Sequence, residues 1–333
     1  MPVFQVLTPK KYFADLPGKK NNVELTHQTV QDFAQWLATN PLPGRHRRGS
    51  EKTIKSYTGD VDRFARWFKQ STGHELSAET LTPDDIQDFI SRLQIVEGRK
   101  PNTVLRYFAA IRAYCLYLLK TDPRIMRDLT DGIRLPRQEP MTKRGLRRKE
   151  RLAVERVFTV PWKETEAARL RLIRDYAIVE TMMYVGLRLG ALANLKLDDL
   201  MLGERSGSIH VRKGKGNRDR EAGVPLKARQ ALLEWLNIRE TLDCPHDFLF
   251  VQIRKGYTPL GTRSVQEMVK EVGRRAKLEI ELSPHILRHT AVRIWRQKTD
   301  DRTTAAQMGH SVTTMMKYDA LDGDDVLIAA EKI

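Results

Sequence analysis

The segment near the C-terminus carries side chains that together can perform phosphoryl transfer. His285 and Arg288 lie in the run His-Ile-Leu-Arg-His-Thr, and His310 and Tyr318 follow them along the chain. An arginine stabilises the charge of a phosphate, a histidine donates hydrogen bonds or moves protons, and a tyrosine hydroxyl can act as a nucleophile. Because the chain also has a formal net charge of +16, the expected substrate is the phosphate backbone of DNA.

A helical conformation would place His285, Arg288 and His289 on one face, since positions i, i+3 and i+4 are neighbours on a helix. The two histidines also have the spacing of a zinc-binding His-Glu-x-x-His motif. Ile286 stands where that motif has glutamate, so no zinc site is predicted. Taken alone, the segment also fits a partly buried histidine beside a surface arginine.

Arg188 is the second candidate for phosphate binding. Residues 186–195 predict a short helix in which Arg188 shares an apolar stripe with Leu192 and Leu195. An arginine on such a stripe faces inward and needs an anionic partner. A bound phosphate suits the guanidinium, and the alternative partner is a carboxylate, Asp198 or Asp199.

Lys215 lies between two glycines at the predicted tip of a β-hairpin, with one strand expected at 208–211 and the other expected to end over 221–226. A lysine at such a tip can reach into a groove and deliver a proton to a leaving oxygen. The alternative is a solvated basic turn. The flanking basic residues expected to bind DNA are Lys213, Arg218 and Arg220.

Tyr318 carries no local mark of a nucleophile. With an ordinary pKa of ~10 a tyrosine is weakly nucleophilic without help, and most tyrosines are amphipathic packing residues. The case for Tyr318 rests on its place shortly after His310, near the chain end, in a predicted short polar helix.

In order and spacing these segments resemble the tyrosine recombinases, the lambda-integrase and Xer-type family of site-specific DNA recombinases. The resemblance covers about residues 160–325 and rests on the runs GLRLGALANLKLDDL, GKGNRDREAGVPL, HILRHT, MGH and VTTMMKYDAL. Six positions fall in register with the catalytic residues of that family: Arg188, Lys215, His285, Arg288, His310 and Tyr318.

The resemblance implies DNA strand exchange by transesterification through a Holliday junction. Tyr318 would attack phosphorus and form a 3′-phosphotyrosyl bond, and Lys215 would protonate the departing 5′ oxygen. Arg188 and Arg288 would stabilise the charge of the transition state, and His285 would assist proton transfer around the tyrosine.

The same resemblance implies that His310 donates a hydrogen bond to the phosphate. It also implies that neither a metal nor any other cofactor takes part, because the phosphotyrosyl bond conserves the bond energy. The expected partner is double-stranded DNA with inverted-repeat core sites. The chain is expected to be a monomer in free solution and a homotetramer on paired sites.

The sequence departs from the family pattern at two places. Ala191 occupies the position, three residues after Arg188, at which the family usually has an acidic residue. That helper role is either dispensable or taken by Asp198 or Asp199. The interval from His310 to Tyr318 is also one residue shorter than the family pattern, which indicates a tighter turn.

Helical periodicity predicts a mainly α fold with a small antiparallel β-sheet and two domains. Thr82-Pro83 and Pro101 are good helix starts, and an aromatic stripe is expected to form the core of the first domain. A predicted helix at the C-terminal tail either packs on its own domain or docks on a neighbouring protomer. The predicted segments are an arm at 1–24, a helical core DNA-binding domain at 25–133, a basic linker at 134–156 and a catalytic domain with a C-terminal tail helix at 157–333.

The predicted linker is rich in arginine and lysine. Such a run forms either a solvated hinge or a strap across DNA phosphates. The residues expected to contact DNA there are Arg144, Arg147, Arg148 and Lys149.

Composition narrows the class of partner. The 333 residues include 58 Lys and Arg against 42 Asp and Glu, an excess that favours an anionic partner over a basic but non-binding surface. No apolar run approaches the ~20 residues that span a bilayer, and the N-terminus lacks a signal-peptide pattern. Cys115 and Cys244 alone make no disulfide framework or metal cluster, so a cytoplasmic, nucleoid-associated protein is expected.

Two other functions share part of this pattern. A type IB topoisomerase would use the same chemistry but act alone and without site choice. A helical DNA-binding regulator would bind without catalysis. Covalent trapping on DNA distinguishes the regulator from the enzymes, and a requirement for specific sites distinguishes a recombinase from a topoisomerase.

Overall fold

The computed structural model describes residues 28–42, 48–137, 144–159, 165–212, 219–254 and 256–309. The chain forms two compact units, Met1–Pro140 and Met141–Ile333. As the sequence predicted, the fold is mainly helical with one small antiparallel sheet. The predicted N-terminal arm and C-terminal tail helix lie outside the described residues.

The described part of the first unit is built from four α-helices. Their starts follow local sequence signals: Ser50 accepts a hydrogen bond from the Thr53 amide, and Thr82 and Asp85 form a reciprocal capping box. The predicted helix starts at Thr82-Pro83 and at Pro101 are therefore confirmed. The helices are α1 Gln28–Thr39, α2 Glu51–Thr72, α3 Pro83–Ser91, which continues as a π-helical turn Arg92–Val96, and α4 Pro101–Thr121.

Aromatic side chains fill the core of the first unit, as the sequence predicted. Phe64 and Phe89 are buried with ring centroids 5.0 Å apart, and Phe33 meets Tyr114 edge-on at 5.4 Å. Such contacts add stabilisation beyond the burial of apolar area. Trp67 is only partly buried at the edge of this cluster.

The second unit contains the sheet and seven described α-helices. Its core is a cluster of aliphatic residues around Trp235 and Phe250, both fully buried. None of the helices that the structure describes is long and apolar enough to cross a membrane. The helices are α5 Arg148–Arg156, α6 Glu166–Glu180 with a π-helical turn Thr181–Val185, α7 Leu189–Ala193, α8 Leu226–Thr241, α9 Thr262–Arg275, α10 Pro284–Arg296 and α11 Asp301–Met308.

The sheet has three antiparallel strands in the order β1-β2-β3: β1 Leu200–Leu202, β2 Gly207–Val211 and β3 Arg220–Gly223. The predicted hairpin is β2 and β3, with Val211 opposite Arg220. The second strand ends at Gly223 rather than at the predicted Leu226, because Pro225 caps α8 and Leu226 begins it. Strand β1 was not predicted from the sequence, since three residues show no alternation from which a strand can be recognised.

The second half of the predicted linker belongs to the fold of the second unit. Helix α5 begins there, and Val154 is its buried residue. The Leu146 amide donates a 2.8 Å hydrogen bond to Thr290 Oγ1 on α10. A Cβ on Gly145 would lie 2.8 Å from Thr290 Cα, so only glycine permits this approach. A single buried residue gives no helical periodicity, which is why the sequence indicated a linker.

Candidate active site

Arg288 is fixed inside the second unit by backbone carbonyl groups. Helix α10 starts at Pro284 behind the Ser283 cap, whose hydroxyl accepts from the Ile286 amide. Arg288 lies one turn further on, is only 6% exposed, and donates to the carbonyl of Gly186 and, at 2.6 Å, to that of Met308. The buried guanidinium therefore connects α10 to the turn before Arg188 and to the end of α11.

The histidines of the same segment are more accessible than the arginine. His285 is exposed and His289 is half-buried. The alternative of a partly buried histidine beside a surface arginine is therefore wrong for Arg288, whose charge is compensated by carbonyl dipoles. His285 lies in the first turn of the helix with its side chain exposed.

Arg188 lies in extended backbone and not on a helix. Its φ and ψ are −69° and 144°, and the helix that follows it, α7, has only five residues. The predicted helical stripe with Leu192 and Leu195 is therefore wrong, because the helix starts one residue too late to include the arginine. The half-buried guanidinium instead donates to the carbonyl of Gly309 at 2.9 Å.

The turn at Gly309 accepts hydrogen bonds from both Arg188 and Arg288. Gly309 ends α11 with a left-handed φ of 59°, and its carbonyl accepts from Arg188 while the preceding carbonyl, that of Met308, accepts from Arg288. A Cβ on Gly309 would lie 2.6 Å from Arg220 Nε. Both the backbone conformation and the close approach require glycine here.

Arg220 contributes a third guanidinium to this region, at the start of β3. It donates to the carbonyl of Gln307 at 2.5 Å, while its Nε is buried and has no hydrogen-bond partner among the described residues. Burial, and then the charge of Arg188, lower the pKa of Arg220 to about 10. The sequence predicted Arg220 to bind DNA together with Lys213 and Arg218, and the structure places it half-buried beside the Gly309 turn.

Gln307 was not identified from the sequence. Its buried side-chain amide accepts from the Gly223 amide at 2.9 Å and donates to the carbonyls of Gly223 at 3.0 Å and Val185 at 3.1 Å. One side chain thus bonds to β3 and to the turn that leads to Arg188. Nothing in the residues adjacent to Gln307 indicates this role, because its partners are distant in sequence.

The carboxylates proposed as partners of Arg188 have other positions. Asp199 is buried and accepts from Arg212 Nε at 2.5 Å and from the Lys196 amide at 2.9 Å. Asp198 is exposed. The buried carboxylate therefore holds the end of β2 to the turn before β1.

The basic residues of the predicted linker fall into two groups. Arg144 makes a bidentate ion pair with Glu150, at 2.6 and 2.7 Å, and the hydrogen bonds from Arg144 lower the pKa of Glu150 despite its partial burial. Arg147, Arg148 and Lys149 are exposed at the start of α5. Arg144 thus has a structural partner in Glu150, and the other three residues are more exposed than Arg144.

Five predicted site residues lie outside the part of the chain that the structure describes: Lys213, Lys215, Arg218, His310 and Tyr318. Their sequence positions nevertheless place them directly next to described residues. The first three lie in the segment between Arg212 and Asp219, which connects β2 to β3. His310 directly follows Gly309. Within the described residues, no group of three or more His, Cys, Asp or Glu side chains could hold a metal ion.

Two family models match the chain. Residues 163–323 match the phage integrase family, and residues 44–124 match the N-terminal SAM-like domain of phage integrases. The tyrosine recombinase XerC of Pseudomonas fluorescens strain Pf0-1 is 32% identical over 284 residues, 83% of this chain and 87% of that protein. The XerC of Alcanivorax borkumensis is 30% identical over 299 residues, 89% of this chain and 90% of that protein.

Solved structures share the fold at lower identity. The XerH site-specific recombinase in its post-cleavage complex with palindromic difH substrate has a TM-score of 0.69 at 18% identity, covering 91% of this chain and 94% of that one. A lambda integrase tetramer bound to a Holliday junction has a TM-score of 0.65 at 16% identity, covering 88% of this chain and 78% of that one.

Proposed function

Because this chain belongs to the phage integrase family and is a tyrosine recombinase, we propose that it cuts and rejoins DNA at specific sites with the residues that surround Gly309. The observation that carries this assignment is the attachment of Arg188 and Arg288 to the carbonyls of Gly309 and Met308. Two arginines held at one turn can bind a single phosphate between them.

The phosphate site uses guanidinium groups for a physical reason. Arg288 is buried and cannot reorganise freely, so its charge is already oriented when negative charge builds up on the phosphate oxygens. Arg188, bonded to the carbonyl of Gly309, and the half-buried Arg220 add further positive charge at this turn. His310 directly follows Gly309 and donates a further hydrogen bond to the phosphate.

The covalent step is a transesterification at phosphorus. The Tyr318 oxygen forms a bond to the scissile phosphorus, the bond from phosphorus to the 5′ oxygen breaks, and a 3′-phosphotyrosyl linkage remains. His285 takes up the proton of the tyrosine hydroxyl, and Lys215 gives a proton to the departing 5′ oxygen. Attack by a 5′ hydroxyl on the phosphotyrosine reverses these transfers and rejoins a strand.

The DNA partner is double-stranded DNA with inverted-repeat core sites, on which four copies of the chain act together. The structures of similar fold support this: XerH was solved on palindromic difH substrate and lambda integrase as a tetramer on a Holliday junction. Arg147, Arg148 and Lys149 are exposed and contact DNA phosphates outside the active site. Paired sites let strands be exchanged between two duplexes.

Recombination on supercoiled plasmids tests this function. The DNA flanking the gene supplies candidate inverted repeats, and a plasmid that carries two copies is compared with the same plasmid without them. The proposal predicts exchange products only when both copies are present. Relaxation of the plasmid without sites, at a rate equal to that with sites, would instead identify a topoisomerase.

A further inference from the structure

The proposed phosphate site lies where two turns of the second unit meet. We call them the Gly186 turn (residues 185–188) and the Gly309 turn (residues 307–309). Both glycines have left-handed backbone conformations, with φ of 75° and 59°. A Cβ on Gly186 would lie 2.6 Å from Met308 Sδ, so the two turns are in direct contact.

Arg288 connects one turn to the other. Its guanidinium donates to the carbonyl of Gly186 and, at 2.6 Å, to that of Met308. Because these acceptors belong to different turns, the direction in which the guanidinium points depends on the spacing between the turns. The donors of a guanidinium form a rigid planar fork, which adapts poorly when one acceptor moves.

Gln307 makes a parallel connection one residue earlier in each turn. Its side-chain amide donates to the carbonyl of Val185 at 3.1 Å. Val185 and Gln307 directly precede the two residues whose carbonyls hold Arg288. Gln307 is only 7% exposed and its side chain is uncharged. It therefore ties the two turns together without drawing on a guanidinium that binds phosphate.

Strand β3 holds the Gln307 side chain in place. The Gly223 amide donates to Gln307 Oε1 at 2.9 Å, and Gln307 Nε2 donates to the Gly223 carbonyl at 3.0 Å. Arg220 also donates to the backbone carbonyl of Gln307, at 2.5 Å. A buried amide whose donor and acceptor are both bonded holds one orientation, so the connection to Val185 is itself fixed.

We propose that Gln307 is a positioning residue for Arg288: its amide sets the spacing of the Gly186 and Gly309 turns, so that the guanidinium is oriented before the scissile phosphate binds. This inference rests on the proposed function, in which Arg288 stabilises charge on the phosphate oxygens. A donor that is already oriented stabilises this charge better than one that must reorient. Arg188 is positioned by the same spacing, because the Gly309 carbonyl accepts from it.

The charge of the phosphate allows a direct test. A methylphosphonate has a methyl group in place of one non-bridging oxygen, so the linkage has one negative charge less while both bridging oxygens are kept. The arginines act on that charge in the transition state, so their orientation matters less on this substrate. A variant that only weakens the fold should slow cleavage of both substrates by the same factor.

The experiment compares single-turnover cleavage of nicked core-site duplexes that have either a phosphate or a methylphosphonate at the scissile position. The test variant is Gln307→Met, which keeps side-chain length but removes the amide, and Arg288→Lys is the reference for a lost phosphate donor. The control is Thr304→Val, which removes a buried hydroxyl of the same helix that bonds to Thr299 at 3.0 Å. If Gln307→Met does not fold, Gln307→Asn, whose amide is one methylene group closer to the backbone, is measured in its place with the same expectation.

Gln307→Met should cleave the phosphate substrate roughly 10-fold more slowly than wild type, a part of the ~10²–10³-fold that one preorganised donor contributes. On the methylphosphonate this defect should shrink to within about threefold of wild type, since less charge has to be stabilised. Arg288→Lys should show a larger defect with the same dependence on the substrate, and Thr304→Val should show an equal ratio to wild type on both. Equal slowing of Gln307→Met on both substrates would overturn the positioning role. Failure of wild type to form an adduct on the phosphate substrate would overturn the proposed function itself.

Discussion

The guanidinium of Arg288 donates a 2.6 Å hydrogen bond to the carbonyl of Met308, the residue before Gly309, whose own carbonyl accepts from Arg188. Two arginines that are far apart in the chain are thus oriented by consecutive peptide groups. The turn that orients them also leads directly into His310. Any change that moves this turn should therefore move both arginines of the proposed phosphate site together.

The substitution Arg288→Lys tests the role of the buried Arg288 guanidinium in cleavage and in stability. A lysine keeps the charge but cannot donate to the Gly186 and Met308 carbonyls in the same fork geometry. We expect the cleavage rate to fall by about 10²–10³-fold, the usual effect of removing one preorganised donor. Leaving one of these buried carbonyls unpaired should lower the free energy of unfolding by about 1–3 kcal/mol.

Single-turnover cleavage and urea unfolding measure the two effects of Arg288→Lys. Arg274→Lys on α9 is the matched control, because that side chain is 72% exposed and pairs with Glu271 on the surface. Arg274→Lys should change neither the cleavage rate nor the free energy of unfolding appreciably. Wild-type cleavage by Arg288→Lys would contradict the role assigned to the buried guanidinium.

Gly309→Ala tests the turn itself. The left-handed φ of 59° disfavours a side chain by roughly 1–2 kcal/mol, and the new Cβ would also displace Arg220, whose Nε would be 2.6 Å away. We expect a lower free energy of unfolding and slower cleavage. Gly190→Ala is the control, because a Cβ there meets no atom within 4 Å in helix α7 and should leave stability unchanged or slightly raised.

Glu180 should make stability depend on pH. Its carboxyl is fully buried, neither oxygen has a hydrogen-bond partner among the described residues, and burial together with the charge of Glu155 raises its pKa to about 8. Between its ordinary pKa of 4.5 and about 8, the unfolded chain has released this proton while the folded chain retains it. The free energy of unfolding should therefore fall as pH rises through that window, by up to about 1.4 kcal/mol per pH unit.

Urea unfolding of wild type and Glu180→Gln at several pH values between about 5 and 8 checks this sign. The variant stays neutral throughout, so its stability relative to wild type should increase steadily with pH. A difference that did not change with pH would show that Glu180 does not retain its proton in the folded state.

Substitutions of different basic residues near α5 should affect either DNA binding or stability. Arg148 and Lys149 are exposed, so alanine at either should weaken DNA binding. For each phosphate that is no longer neutralised, the slope of log K against log salt should decrease by about 0.9. Arg144 is paired with Glu150, so Arg144→Ala should lower the melting temperature instead.

Salt titrations and thermal unfolding of the three variants distinguish these outcomes. Arg148→Ala and Lys149→Ala should leave the melting temperature close to that of wild type. Arg144→Ala should leave the salt slope close to the wild-type slope. An unchanged salt slope for both Arg148→Ala and Lys149→Ala would remove these residues from the DNA interface.

The features that the sequence predicted correctly depend on neighbouring residues. The capping box of Thr82 and Asp85 and the proline at 101 start helices through contacts within one turn, so their pattern is visible in the chain. The aromatic stripe of the first unit was predicted for the same reason, because Phe64 and Phe68 lie four residues apart within α2 and therefore share one face of that helix.

The features that the sequence did not predict depend on distant residues. Gln307 bonds to Gly223, 84 positions earlier, and no local pattern indicates such a pair. Arg188 was expected on a helix because Leu192 and Leu195 follow at helical spacing, but its bond to Gly309 joins residues 121 positions apart. Periodicity identifies elements, whereas side chains that join elements become visible only when the elements are packed.

Identification of the residue that becomes attached to DNA tests the central claim most directly. Wild type and Tyr318→Phe are each incubated with a nicked core-site duplex, and the adduct is digested and sequenced by mass spectrometry. The account predicts a 3′-phosphotyrosyl peptide that contains Tyr318, no adduct with Tyr318→Phe, and unchanged salt-dependent binding of that variant. An adduct that persists in Tyr318→Phe, or that maps to another residue, would contradict it.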